Sequence, residues 1–288
     1  MAHDVVLDHQ RQGDPGAPAV LLITGLGSQR ISWPPELLSS LAERGLQVVT
    51  LDNRDAGRST RLVDRPVPRA DLIDMARTGR GLPYRLSDMA EDVAHLADDL
   101  RLPSFHVVGA SMGGMIAQHL AAWHPTRVDS LCLLMTTAQT PRPDTADDAT
   151  WQTLLTPPPA ERSAFVDHLI SAARTLGDPL DVDEGRLRRR AIEHFERGYD
   201  PAGYLRQLLA TLADDDRSAM VRSLDVRTLV LHGSDDAVIP VHQGQSLAEL
   251  IPGARLRIID GMRHELAPRL APLLADEIAG HVLLDEDR

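Results

Sequence analysis

Gly109-Ala110-Ser111-Met112-Gly113-Gly114 decides how this chain is read. It follows Phe105-His106-Val107-Val108, a short apolar run with strand chemistry. It precedes Met115 to Ala122, a run of helix formers almost without charge. Strand, Gly-x-Ser-x-Gly, helix is the context that makes the motif a nucleophile elbow. The spacing has a physical reason. A serine hydroxyl attacks a carbonyl only if it projects from a sharp turn, and Gly109 and Gly113 let the two backbones close around a residue in a strained conformation. The helix that begins there offers backbone N–H groups to a developing oxyanion. Small residues also turn an ordinary βα corner, so the reading depends on partners elsewhere in the chain.

A serine nucleophile needs a base, and the base needs an orienting carboxylate. In this context the carboxylate ends one strand and the histidine follows the next. Leu231-His232-Gly233-Ser234-Asp235-Asp236 ends a strand-like run, with Pro240 closing the loop, and Ile258-Ile259-Asp260-Gly261-Met262-Arg263-His264 ends the next. A solvated loop histidine is the plain reading of His264. Its register with Ser111 and an aspartate favours a base. Asp235 and Asp236 are neighbours in extended chain and point opposite ways, so only one of them can face His264.

Outward from the motif, the chain alternates strand and helix. Val5, Val6 and Leu7 predict an edge strand. Ala19 to Ile23 is continuously apolar and reads as a strand buried on both faces, ending at Thr24-Gly25-Leu26-Gly27, the end at which parallel sheets bind ligands. Glu36 to Arg44 reads as a helix, Leu46 to Leu51 as a strand, and Asp52 to Ser59 as a tight polar loop. Val63 to Pro83 breaks the rhythm with three prolines and two glycines, and Asp71 to Arg77 is long enough for one or two helical turns. It reads as an excursion over the carboxyl edge of the sheet or as a disordered surface loop. Leu86 to Leu100 repeats apolar residues at helical spacing, with Ser87 as its expected cap. Val128 to Met135 is another buried strand.

The alternation then stops. Thr136 to Asp148 reads as a linker, and three helical segments follow, roughly Pro159 to Leu176, Asp183 to Arg197 and Ala202 to Leu212. Gly177-Asp178-Pro179 and Gly198-Tyr199-Asp200-Pro201 separate them. The sheet resumes with Thr228 to His232, a helix from Val241 to Leu250, a strand from Arg255 to Ile259 and a helix from Leu266 to Leu284. The expected fold class is therefore α/β: a mostly parallel sheet of six parallel-type strands plus an antiparallel edge, flanked by helices, with an inserted helical cap. The expected boundaries are 1–136 and 223–288 for the two parts of the core and 137–222 for the cap.

Composition bounds the function. The chain has 288 residues, 43% of them hydrophobic, enough for a substantial core. The formal charge of −12, with no basic tract beyond Arg186 to Arg190, argues against nucleic acid or an acidic membrane as partner. Arg188, Arg189 and Arg190 read as the wet face of one helix. The single Cys132 lies in an apolar run and reads as buried filler. Met1 to Gln10 lacks a signal-peptide pattern and no apolar run reaches membrane-span length, so a cytoplasmic location is expected. Paired cysteines and His-x-x-x-His are absent, so neither a metal nor a cofactor is expected. Gly25-x-Gly27 lacks the third glycine of a dinucleotide loop and the Gly-Lys-Ser/Thr of a P-loop. His95, His106, His119 and His124 read as packing or surface residues.

The sequence resembles the α/β-hydrolase fold superfamily, in particular the serine esterase branch with a helical cap that includes aclacinomycin-type methylesterases. The resemblance runs from about Val20 to Leu284 and is weakest in the cap and from Val63 to Pro83. It rests on Thr24-Gly25-Leu26-Gly27, Asp52-x-Arg54-x-x-Gly57-x-Ser59, Gly109-x-Ser111-Met112-Gly113-Gly114, Gly233-x-x-Asp236-x-x-x-Pro240 and Gly261-Met262-x-His264. It implies Ser111 as nucleophile, His264 as base and then acid, and Asp236, by its spacing from Gly233 and Pro240, as the orienting carboxylate. It further implies the amides of Leu26 and Met112 as an oxyanion hole, with Gly25, Asp52 and Arg54 in support. Family members usually carry His-Gly where this chain has Thr24-Gly25, which changes how the first loop is held.

The implied activity is hydrolysis of a small to medium, largely apolar ester through an acyl-enzyme. A lactonase, C–C bond hydrolase, amidase or cofactor-free haloperoxidase/perhydrolase of the same fold would keep the same residues. A ligand-binding or interaction protein without catalysis is the alternative of another class, although such proteins usually lose a member of the triad and none is lost here. Trp151, Leu154, Leu155, Phe165, Leu169, Ile170, Phe195, Tyr199 and Tyr204 are available to line or support the cap. Aromatic residues make up only 3% of the chain, so their grouping here is notable.

Overall fold

Alternation within single strands sets the layers. In the computed structural model, which describes residues 5–140, 148–177 and 183–284, strand β2 (Ala19–Ile23) is buried along its whole length. Leu21 and Ile23 join one apolar cluster and Val20 and Leu22 the other, because successive side chains leave a strand on opposite faces. The same split runs through β4 (Phe105–Ala110), β5 (Val128–Leu134) and β6 (Thr228–Gly233). Each must therefore be covered on both sides. Helices α3 (Leu86–Asp99), α4 (Met112–Trp123) and α10 (Val241–Leu250) cover one face, and α1 (Pro35–Glu43) and α11 (Ala271–Val282) cover the other. Each fully buried leucine contributes about 1.5–3 kcal/mol. Cys132 lies inside this core.

With β1 (His9–Gln12), β3 (Gln47–Leu51) and β7 (Arg255–Ile259), the sheet has seven strands among the described residues, in the order β1-β3-β2-β4-β5-β6-β7. Of these strands, β1 alone runs antiparallel, against β3. The chain moves outward from β2 to β3 and then returns to place β4 on the other side of β2. That reversal opens a crevice at the carboxyl ends of β2 and β4, where open parallel sheets hold ligands.

Several expectations shift. The edge strand is His9–Gln12, a polar stretch, and not Val5 to Leu7. Its backbone pairing with β3 decides it, and no apolar pattern announces it. Arg85, not Ser87, is the residue before α3. Asp88 reaches back and accepts the Arg85 N–H at 2.8 Å, while Ser87 lies inside the helix. The last helix begins at Ala271, after a single 3-10 turn at Pro268–Leu270.

Between β5 and β6 stand α5 (Asp148–Leu155), α6 (Arg162–Leu176), α7 (Glu184–Glu196), α8 (Pro201–Leu212) and the short α9 (Ser218–Val221). The expected linker thus gives way to a helix at Asp148, one that the Thr- and Asp-rich composition concealed. Asp178 and Pro179 of the expected break, and the Trp151 side chain, fall outside what the structure describes. Three of these helices are capped by carboxylates. Glu161 accepts the N–H groups of Ser163 and Ala164, Asp183 that of Arg186, and Asp200 that of Ala202 ahead of Pro201 at the first helical position.

The segment from Val63 to Pro83 contains α2 (Leu72–Thr78). Val67 and Leu72 pack with Tyr204, Leu208 and Leu209 of α8, so this excursion is a side wall of the helical insertion.

Candidate active site

Ser111 stands between β4 and α4 with φ 55° and ψ −122°, a left-handed backbone that non-glycine residues rarely adopt. The glycines make the turn possible. A Cβ on Gly109 would collide with the Gly113 carbonyl, and one on Gly113 would strike the end of β2. Backbone bonds secure the corner: Ser111 N–H donates to Leu134 O at 3.0 Å, and Gly114 N–H donates to Ser111 O at 2.9 Å.

His264 sits in the loop after β7, with its Nε2 3.0 Å from Ser111 Oγ and its Nδ1 2.8 Å from Asp236 Oδ2. Asp236 accepts three donors in all. Its Oδ1 takes the N–H groups of Val238 and Ile239, at 2.9 and 2.8 Å. As an acceptor-only carboxylate it places the imidazole proton on Nδ1, which leaves the Nε2 lone pair for the serine hydroxyl. Burial pushes the Asp236 carboxyl up. The facing His264, through its charge and hydrogen bond, and the Ile239 amide outweigh that and hold it below the usual carboxylate value.

Asp235 is exposed, accepts the Ser234 hydroxyl at 2.7 Å, and takes no part in the contact with His264. His232 is fully buried beside Asp236, where its Nε2–H donates to Ile239 O at 2.7 Å, and burial lowers its pKa. It is a packing residue under the acid loop.

The first loop turns at Thr24-Gly25-Leu26-Gly27-Ser28. A side chain on Gly25 would crowd Ser111, its Cβ lying 3.2 Å from that of the serine. Thr24 is buried. Asn53 Nδ2 donates to its carbonyl at 3.0 Å. Gly27 N–H donates to Gln207 Oε1 at 2.8 Å and Ser28 N–H to Gly25 O at 3.2 Å. These bonds fix the turn that carries the Leu26 amide. The Met112 amide is the first of α4 and has no intrahelical acceptor.

Asp52 and Arg54 lie below the loop and not against Ser111. Asp52 is fully buried and accepts the Arg30 N–H at 2.6 Å and the Arg197 guanidinium at 2.6 Å. Arg54 forms a two-pronged pair with Asp92 of α3 at 2.5 and 2.6 Å. Neighbouring Asp55 is met by Arg206 of α8 with two contacts of 2.8 Å. The Asp52–Ser59 loop is therefore a docking floor for the helical insertion.

A cavity of about 270 Å³ lies over His264 and Leu26. Leu154, Phe165, Leu169, Tyr199 and Tyr204 supply much of its apolar wall. Ile170 and Phe195 pack behind them, and Leu155 packs against the α8 cluster. Arg190, expected in water, instead turns inward to line the cavity and donates to Ser32 O. Arg188 and Arg189 stay exposed. His194 lines the cavity too; burial, reinforced by the Arg190 charge, holds its pKa down at about 4. Sequence reasoning missed Arg190, His194 and Gln207, because their helical spacing reads equally as packing.

Among the described residues, no group of three or more His, Cys, Asp or Glu is arranged to hold a metal ion, and no helix is long and apolar enough to cross a membrane.

A sheet of this order with a serine elbow after its central strand defines the class, and the model of the alpha/beta hydrolase fold family matches residues 18–267. The chain belongs to that family. It is similar to the rhodomycin D methylesterase DnrP of Streptomyces peucetius, with 28% identity covering 96% of this chain and 95% of that protein. Among solved structures, the enol-lactonase from Burkholderia xenovorans LB400 superposes with a TM-score of 0.76 at 22% identity, over 96% of both chains. The 2-hydroxy-6-oxo-6-phenylhexa-2,4-dienoate hydrolase BphD from Rhodococcus sp. strain RHA1 does so at 0.71 and 19%, over 96% of this chain and 95% of that one. At such identities these two structures speak for the fold.

Proposed function

We propose that this protein is a carboxylic-ester hydrolase that works through an acyl-enzyme on Ser111. The observation that carries the reading is the hydrogen-bonded line Asp236–His264–Ser111, at 2.8 and 3.0 Å, ending on a serine held at positive φ. In this reading His264 Nε2 takes the Ser111 proton as Oγ attacks the ester carbonyl carbon. The carbonyl oxygen becomes an oxyanion against the amides of Leu26 and Met112. Collapse breaks the acyl–oxygen bond, and His264 gives its proton to the departing alcohol. Water then repeats the cycle and frees the acid. Asp236 keeps the imidazole in the required tautomer. The helices between β5 and β6, residues 137–222, act as a cap over the acyl or alcohol group. Partner and substrate are then a small molecule, with no cofactor called for.

The similarity to a methylesterase over nearly the whole chain makes methyl esters with a medium-sized apolar acyl group the first class to assay. The apolar cavity wall suits such a group. The test is a panel of methyl, ethyl and activated esters, lactones and amides, run with wild type and Ser111→Ala. Turnover of esters that vanishes in folded Ser111→Ala supports the reading. Equal turnover by both proteins overturns it.

A further inference from the structure

We infer that Gln207, on the insertion helix α8, is a positioning residue for the oxyanion hole, so that the cap is part of the catalytic apparatus and not only a cover. The inference rests on the hydrolase reading above and deepens it. Gln207 is fully buried, and both ends of its amide are engaged. Oε1 accepts the Gly27 N–H at 2.8 Å, and Nε2 donates to the Arg54 carbonyl at 2.7 Å. One side chain thus ties the loop after β2 to the loop after β3. The amide it holds is adjacent in sequence to that of Leu26.

The position of Gln207 is itself determined. Its neighbour Arg206 makes the two-pronged contact with Asp55, and both partners are almost wholly shielded from water. Three residues earlier on the same helix, Tyr204 lies against Gly27, where an added Cβ would sit 2.5 Å from the ring. Gly27 has φ 64°, so a bulkier residue is excluded on two grounds. The contact requires glycine on the loop and is specific to this helix face. The Leu26 side chain also packs against the α8 cluster.

An oxyanion donor acts only when its N–H is aimed before the charge develops. A peptide plane released at Gly27 would let the Leu26 amide rotate. That costs transition-state binding and leaves ground-state binding nearly untouched.

The test uses full-length Gln207→Met, which keeps volume and removes both bonds, and Gln207→Asn, one methylene too short to span both loops. Thr211→Val is the control, since it removes a buried side-chain hydrogen bond of the same helix, to the Gln207 carbonyl, outside the cavity wall. For each, kcat and KM are measured on one activated ester. Inhibition is measured for a trifluoromethyl ketone, which forms an oxyanion adduct with the serine, and for its methyl ketone isostere. Gln207→Met is expected to lower kcat roughly 10- to 100-fold at near-constant KM. It should weaken the trifluoromethyl ketone by a similar factor and the methyl ketone by less than threefold. Thr211→Val should leave the ratio of the two ketones unchanged. If Gln207→Met fails to fold, Gln207→Asn decides by the same readouts. A kcat within twofold of wild type in the folded variant overturns the inference, as does equal weakening of both ketones. Wild type that neither turns over esters nor prefers the trifluoromethyl ketone would overturn the hydrolase reading itself.

Discussion

At the scale of single residues, two adjacent carboxylates separate cleanly. Asp236 is buried and holds the imidazole, whereas Asp235 is exposed and bonded to Ser234. Removing the orienting carboxylate frees the imidazole to take the wrong tautomer. Asp236→Asn is therefore expected to lower kcat by about 10⁴-fold with KM nearly constant. Asp235→Asn should lose less than tenfold. Both follow from kcat on one ester after circular dichroism establishes folding, and the opposite ranking would transfer the role to Asp235. The strained Ser111 adds a stability consequence. Ser111→Gly relieves a conformation that typically costs about 1–3 kcal/mol, so it should melt higher than wild type while lacking all turnover. A lower melting temperature would mean that the lost serine contacts outweigh the strain.

At the scale of elements, the insertion is fastened to the core by buried ion pairs and not by apolar packing alone. Arg197 reaches Asp52 and Asp8, and Arg206 reaches Asp55. Taking either partner out of a buried pair leaves the other charged and unsolvated. Arg206→Met is expected to destabilise the protein by about 3–5 kcal/mol in urea unfolding, and Arg206→Met combined with Asp55→Leu by clearly less. A double variant as unstable as the single one would show that packing, not the stranded carboxylate, carries the loss. The same fastening bears on removal of residues 137–222. Excision strips Asp52 and Asp55 of their cations and the first loop of Gln207, so it should impair the core as well as uncover the site.

At the scale of the whole molecule, acid is expected to act through two histidines, the half-buried His194 in the cavity wall and the fully buried His281. Burial and the nearby Arg190 hold His194 down at about 4, and burial and Arg227 hold His281 at about 4, against an ordinary value of 6.5. The unfolded chain takes up these protons first as pH falls. Their contribution is therefore fully present above 6.5 and declines between 6.5 and about 4, by up to about 1.4 kcal/mol per pH unit for each histidine. Urea unfolding at pH 7, 6 and 5 checks this, and His281→Gln should flatten the slope. An unchanged midpoint from pH 7 to 5 would count against both histidines.

How much was legible in the sequence follows from the kind of force involved. The buried strands announced themselves as continuous apolar runs, and the elbow by its glycines. His264 could be singled out because it follows a strand-like run, and Asp236 was told from its neighbour Asp235 only by the spacing from Gly233 and Pro240 that the family resemblance supplied. β1 was illegible, since His9–Gln12 is polar and held by backbone pairing to β3. Gln207 and Arg190 were illegible for another reason. Their meaning lies in which distant loop each one touches, and helical spacing carries no trace of that.

The line from serine to imidazole spans 153 residues of chain. During synthesis Ser111 leaves the ribosome long before His264 exists. For that interval it is an ordinary alcohol with no base. If the proposed mechanism holds, the chain stays chemically silent toward esters until β7 is in place, and a product truncated ahead of that strand would carry the serine without its base.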